Sequence, residues 1–139
     1  MKVERVDHTA IVVADMEEAI ERWGRLTGAT VRDRQEVPHQ RVEVAFLEAG
    51  GTLLELIHPL NDQSGVARFL SRRGEALHHL GLAVDDLPAA LEELAAEGAE
   101  LIDREPRAGV HGDIAFIHPR STGGVLVELV EQRSSAGED

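Results

Sequence analysis

The chain has 139 residues, no cysteine, 42% hydrophobic residues and a formal net charge of −12. This length bounds it to one compact domain or two half-size modules. The missing thiols exclude disulfides and thiolate metal sites, and the acidity argues against a general nucleic-acid binder. No signal peptide is visible, and no apolar run reaches the roughly 18 residues of a membrane span. The expectation is a soluble cytoplasmic protein with no membrane and no nucleic-acid partner.

Residues 5–13 alternate in polarity and read as a strand, with His8, Ala10 and Val12 on one face and Thr9, Ile11 and Val13 on the other. Asp15 is suited to cap a helix whose apolar stripe is Met16, Ala19, Ile20, Trp23 and Leu26, with Gly28 as its stop. Strands follow from Val31 to about Val37, over 41–48, and over 52–58 after the turn Ala49-Gly50-Gly51. Val66, Phe69 and Leu70 suggest a short helix, with Arg68, Arg72 and Arg73 giving it a basic end. A second series then runs: strand 77–84, helix 86–97 with Pro88 in its first turn, Gly98, strand 99–103, loop 104–112, and strands 113–118 and 125–131. The polar tail 132–139 reads as disordered.

The second series repeats the first. Val6-Asp7-His8-Thr9-Ala10-Ile11-Val12-Val13 returns 71 residues later as Leu77-His78-His79-Leu80-Gly81-Leu82-Ala83-Val84. Gly51-Thr52-Leu53-Leu54-Glu55-Leu56-Ile57 returns 73 residues later as Gly124-Val125-Leu126-Val127-Glu128-Leu129-Val130. The expectation is an α+β fold of two β-α-β-β-β modules, about 4–58 and 77–131, joined by a crossover at 59–76. Together they would form one curved, barrel-like, eight-stranded mixed sheet with helices outside and a cleft on its concave face. Small residues flank each strand-borne His, which leaves room for a ligand.

Each module thus carries one His and one Glu on strands. A carboxylate among leucines is costly to bury unless it is paired, hydrogen-bonded or bound to a metal. Two imidazoles and two carboxylates in matching positions point to a shared divalent cation with coordination sites left for a bidentate ligand. N/O ligation without thiolate suits Co, Mn, Ni, Fe or Zn. A single His on an apolar strand is more often a core histidine; it is the repetition that favours ligands. His78 falls on the outer face and reads as structural, and His58, His111 and His118 flank turns or loops.

These residues resemble the vicinal oxygen chelate superfamily of glyoxalases and extradiol dioxygenases, and within it the methylmalonyl-CoA epimerase family. The resemblance covers roughly residues 4–131. It is carried by Asp7-His8-Thr9-Ala10-Ile11-Val12-Val13, Glu36-Val37-Pro38, Glu55-Leu56-Ile57-His58-Pro59-Leu60, His78-His79-Leu80-Gly81-Leu82-Ala83-Val84-Asp85-Asp86, and Gly112 with His118-Pro119-Arg120 leading into Gly123–Leu129. It implies metal ligands at His8, Glu55, His79 and Glu128, although the family often has Gln at the Glu55 position. It implies an isomerase that interconverts (2R)- and (2S)-methylmalonyl-CoA through a metal-stabilised enolate, using two acid/base groups on opposite faces.

Glu128 resembles one of that pair. The other falls near Pro38-His39-Gln40-Arg41, where His39 takes the place of a family Glu and Glu43 is a second candidate. Arg120, and also Arg68, Arg72 and Arg73, are candidates for the phosphates of an acyl-CoA substrate. A homodimer is implied as well. Two other readings compete on the same scaffold: a glyoxalase-type lyase/isomerase acting on a hemithioacetal, and a metal-free small-molecule binder. A dioxygenase fits less well, because four protein ligands leave little room for O₂ beside a substrate.

Overall fold

The computed structural model describes residues 1–132. Within it the chain forms two compact units, one of residues 8–78 and one of residues 1–7 with the chain from 79 onward. Strand β1 (Val3–Val12) begins in the latter and carries its His into the former.

In the first unit β1 is followed by helix α1 (Met16–Thr27), β2 (Thr30–Val37), a 3-10 turn at Pro38–Gln40, β3 (Val42–Ala49), β4 (Thr52–Pro59) and helix α2 (Gly65–Arg73). The strands lie in the order β2-β3-β4-β1, with β3 antiparallel to both neighbours and β4 parallel to β1. The expected caps hold. The Asp15 carboxylate accepts the Glu18 N–H at 2.9 Å, and Gly28 closes α1 with a φ of 78°. Gly50 and Gly51 both have positive φ, which lets a tight turn join β3 to β4. One face of β1, β3 and β4 supplies Ile11, Ala45, Leu47 and Leu56 to a core completed by Val13, just after β1, and by Met16 and Ala19 of α1.

The second unit repeats this plan with β5 (Ala76–Val84), α3 (Leu87–Ala96), β6 (Arg107–Ala108), β7 (Gly112–Ile117) and β8 (Val127–Gln132). The order is β5-β8-β7-β6, with β5 parallel to β8 and β7 antiparallel to β8 and β6. Val84, Ala115, Ile117, Val127 and Leu129 pack against Leu87, Ala90 and Leu91 of α3. The fold is α+β, with eight strands in two β-α-β-β-β modules, as the repeat predicts.

The sixth strand lies elsewhere than expected. Residues 99–103 make only an isolated bridge, Leu101 to Ile117, and the ladder position is taken by Arg107–Ala108, inside the expected loop. Asp103 supplies the reason. Its carboxylate accepts the Phe116 N–H at 2.8 Å, while the N–H groups of Ile102 and Asp103 both turn to the Phe116 carbonyl, at 2.9 and 3.3 Å. A side chain thus satisfies a donor that a strand's carbonyl would otherwise take, and regular pairing stops there. At the other end, Gln132 pairs with Gly112 as the last residue of β8 rather than opening a tail. The rest of the expected tail, 133–139, lies outside the described residues.

Candidate metal-ligand pairs

Strand registry builds one pair in each unit. In the first, Ala10 on β1 lies beside Glu55 on the parallel strand β4, so Glu55 shares a face with Ala10 and with His8 two residues earlier. The Nε2 of His8 sits 3.5 Å from the Glu55 Oε1. Phe46 lies directly opposite Glu55 on β3, and its ring meets the His8 imidazole at 6.4 Å and 88°. The next residues along each strand face the opposite way, into the α1 core. The alternation that packs the helix therefore also presents the polar pair.

The second unit does the same. Gly81 lies beside Glu128 on β8, the Nε2 of His79 sits 3.5 Å from the Glu128 Oε1, and Phe116 lies opposite Glu128. Its ring meets His79 at 5.5 Å and 87°. The four polar residues are all buried: His8 is 4% exposed, Glu55 8%, His79 8% and Glu128 7%.

A separation of 3.5 Å is longer than an ordinary N–H···O hydrogen bond. Two adjacent ligands each about 2.1 Å from a common ion would be roughly 3.0–3.4 Å apart. Within each pair, the spacing and the N/O donor set therefore fit ligation of a divalent cation.

The other candidates are distributed as follows. His39 is exposed on the 3-10 turn between β2 and β3, and its side chain forms no hydrogen bond or ion pair with another described residue. Glu43 is committed to Arg34, whose Nε donates to it at 2.7 Å. That hydrogen bond, with a second one to Glu17, holds the Arg34 guanidinium above its usual pKa. Of the basic residues, Arg120 ion-pairs with Glu100 at 3.3 Å and Arg68 donates to the Gln63 carbonyl at 3.0 Å. Arg73 lies over Phe69, and Arg72 is exposed at the end of α2.

The remaining histidines are placed as follows. His78 packs edge-on against Phe69 at 4.9 Å, the Nδ1 of His58 donates to the Val13 carbonyl at 3.2 Å, and His118 caps the turn at Pro119–Ser121 by accepting the Arg120 N–H. His111 is exposed. Sequence reasoning overlooked Phe46 and Phe116. Their signal was present, since they recur 70 residues apart on strands that pair with those bearing the two glutamates.

Residues 7–117 match the family described as Glyoxalase/Bleomycin resistance protein/Dioxygenase superfamily. The chain is 38% identical over 128 residues to the ethylmalonyl-CoA/methylmalonyl-CoA epimerase of Cereibacter sphaeroides, covering 90% of this chain and 96% of that protein. The crystal structure of the Mycobacterium tuberculosis methylmalonyl-CoA epimerase aligns with a TM-score of 0.92 at 33% identity, covering 99% of this chain and 93% of that one. A variant of the Streptomyces coelicolor methylmalonyl-CoA epimerase in complex with 2-nitronate-propionyl-CoA aligns with a TM-score of 0.90 at 29% identity, covering 96% and 97%. The chain belongs to the glyoxalase/bleomycin resistance protein/dioxygenase superfamily and, within it, to the methylmalonyl-CoA epimerase family of isomerases.

Proposed function

We propose that this chain interconverts (2R)- and (2S)-methylmalonyl-CoA, with His8, Glu55, His79 and Glu128 holding one divalent cation of the Co²⁺, Mn²⁺, Ni²⁺ or Zn²⁺ type. The observation that carries this reading is the buried His–Glu pair at 3.5 Å, present twice in a chain with close relatives that are epimerases of this substrate. The analogue held by the Streptomyces coelicolor relative supports an acyl-CoA ligand. The cation, when bound, supplies positive charge to the substrate oxygens flanking C2, which acidifies that carbon and stabilises the enolate.

The residues of the chain move the proton. The Glu128 carboxylate accepts the C2 hydrogen as a proton and becomes neutral, while the C–H electron pair passes into the enolate. The His39 imidazolium gives a proton to the opposite face, restoring a C–H bond with inverted configuration and leaving neutral imidazole. The reverse reaction exchanges the two roles. Exposure of His39 on its turn suits a group that reloads its proton from water. The basic end of α2, with Arg72 and Arg73, offers charge to the phosphates of CoA. The same reading takes the protein as a cytoplasmic homodimer.

The test is solvent exchange at C2. Metal-stripped protein reconstituted with Co²⁺ is incubated with methylmalonyl-CoA in D₂O and followed by NMR. The expected result is metal-dependent loss of the C2 proton signal together with racemisation. Absence of exchange with Co²⁺ demonstrably bound would discard this substrate and make a hemithioacetal the next one to try.

A further inference from the structure

We infer that Asp103 and Arg107 form a strap that holds Phe116 against His79, making Phe116 and Arg107 positioning residues for the second ligand pair. The inference rests on the reading of His79 and Glu128 as metal ligands, and its geometry lies within the second unit.

The contacts form a closed circuit. The Asp103 carboxylate accepts the Phe116 N–H through Oδ2 at 2.8 Å and pairs through Oδ1 with the Arg107 Nε at 3.2 Å. The Arg107 guanidinium carbon lies over the Phe116 ring, 5.4 Å from its centroid. That ring meets the His79 imidazole nearly at a right angle, and His79 faces Glu128, which is the cross-strand partner of Phe116. The Phe116 carbonyl is also held, by the N–H groups of Ile102 and Asp103. Arg107 itself is fixed by β6, where it pairs with Ile114.

Each element has a physical role. An imidazole on a strand can rotate about two side-chain bonds, and rotation changes where Nε2 stands relative to Glu128. A perpendicular aromatic neighbour favours one ring orientation. A cation over the ring face favours one position of that neighbour in turn. A planar guanidinium can stack on a ring and meet a carboxylate at the same time, whereas an ammonium cannot reproduce both contacts. Residues behind metal ligands commonly set metal affinity through ligand orientation. The strap also accounts for the unexpected course of the chain at 99–108. Asp103 leaves the strand pattern in order to hold Phe116, and β6 forms where it does in order to bring Arg107 over the ring.

The test uses the full chain and Co²⁺ alone, with affinity read by titration calorimetry and ligand geometry by the cobalt d–d absorption bands. Arg107→Ala removes an exposed side chain and is expected to weaken Co²⁺ binding on the order of ten-fold and to shift the d–d bands. Arg107→Lys should recover part of the affinity. Arg25→Ala, which removes an exposed ion pair from α1, should change neither readout. Phe116→Leu should weaken binding at least as much as Arg107→Ala. If Arg107→Ala and Phe116→Leu bind Co²⁺ with wild-type affinity and spectrum, the strap is purely structural and the inference is overturned, even if thermal stability falls. If the wild-type protein itself binds no Co²⁺, the metal reading fails, and the inference fails with it.

Discussion

The two units hold the same polar pair by different means. In both, a His and a Glu from parallel strands stand 3.5 Å apart beside a Phe on the next strand. Behind them the chemistry differs. Phe46 is buried, whereas Phe116 is half-buried under Arg107. His58 on β4 and Glu131 on β8 occupy repeat-equivalent places, yet His58 donates to the Val13 carbonyl while Glu131 accepts the Leu87 N–H at 2.6 Å. The first unit also ties Ala14, just before α1, to Glu75, whose carboxylate accepts its N–H at 2.8 Å. The ligand geometry is common to both copies and its supports are not, which is expected if both pairs have one task and each unit meets its own packing demands.

The sharpest way to break this equivalence is to neutralise each glutamate in turn. Both would ligate, but only Glu128 is proposed to move a proton. Glu128→Gln should lower turnover by about 10²–10⁴-fold, the usual worth of a positioned acid/base group. Glu55→Gln keeps an oxygen ligand and should lower turnover by no more than about ten-fold. Steady-state rates at saturating Co²⁺ measure both. Equal losses would show that Glu128 acts as a ligand only.

The cores provide the next test. Leu56 and Leu129 are repeat equivalents, both essentially fully buried, each under its own helix. Leu56→Ala and Leu129→Ala should each cost about 2–5 kcal/mol, from lost burial and the cavity left behind. Urea midpoints with unchanged slopes measure the cost. Costs that differ by more than that range would show that one unit relaxes around a cavity and the other does not.

How much of this was legible in the sequence depended on the kind of signal. His8, His79, Glu55 and Glu128 stood out because strand alternation has a period of two and the pattern occurs twice. Asp15 and Gly28 announced the ends of α1 through local chemistry that needs no tertiary context. Residues 101–103 misled because Leu101-Ile102 reads as the start of a strand, while the partner of Asp103, the Phe116 N–H, lies 13 residues away. The aromatic neighbours were missed for a related reason. Phe46 and Phe116 look like ordinary core residues until strand registry places them opposite the two glutamates. Long-range pairing is what local pattern does not encode.

A strand glycine of the second unit and a turn glycine of the first should separate in cost. A Cβ on Gly112 would lie 2.4 Å from the Glu131 carbonyl oxygen and 3.0 Å from the Gln132 Cα, both backbone atoms of β8. Gly112→Ala must push the strands apart and should cost about 2–3 kcal/mol. Gly51 has a φ of 88° with open space around it, so Gly51→Ala meets only backbone strain, about 1 kcal/mol. Denaturant unfolding of both variants would rank them. The reverse order would mean that β7 and β8 yield at Gly112 more readily than the packing indicates.

The smallest effects concern the two helix starts. Asp15 caps α1 and Asp86 caps α3 through the same bond, at 2.9 and 3.0 Å, and either substitution by Ala should cost about 1 kcal/mol. Their surroundings differ. Glu17 and Glu18 lie in the first turn of α1, whereas the first turn of α3 contains no acidic residue and takes a carboxylate from Glu131 on β8. The negative charge that favours a helix N-terminus is thus local in one unit and borrowed from a distant strand in the other. Glu131→Ala should therefore loosen the start of α3 by about 1–2 kcal/mol, because it leaves the Leu87 N–H without its charged acceptor. Glu17→Ala should cost α1 only a few tenths, since Glu18 remains. Amide hydrogen exchange resolves the difference: Glu131→Ala should speed exchange at Leu87 and leave Met16 at its wild-type rate. Unchanged exchange at Leu87 would mean that Asp86 and Pro88 suffice to start α3, and that Glu131 is an incidental neighbour rather than the counterpart of the charges α1 carries in its own sequence.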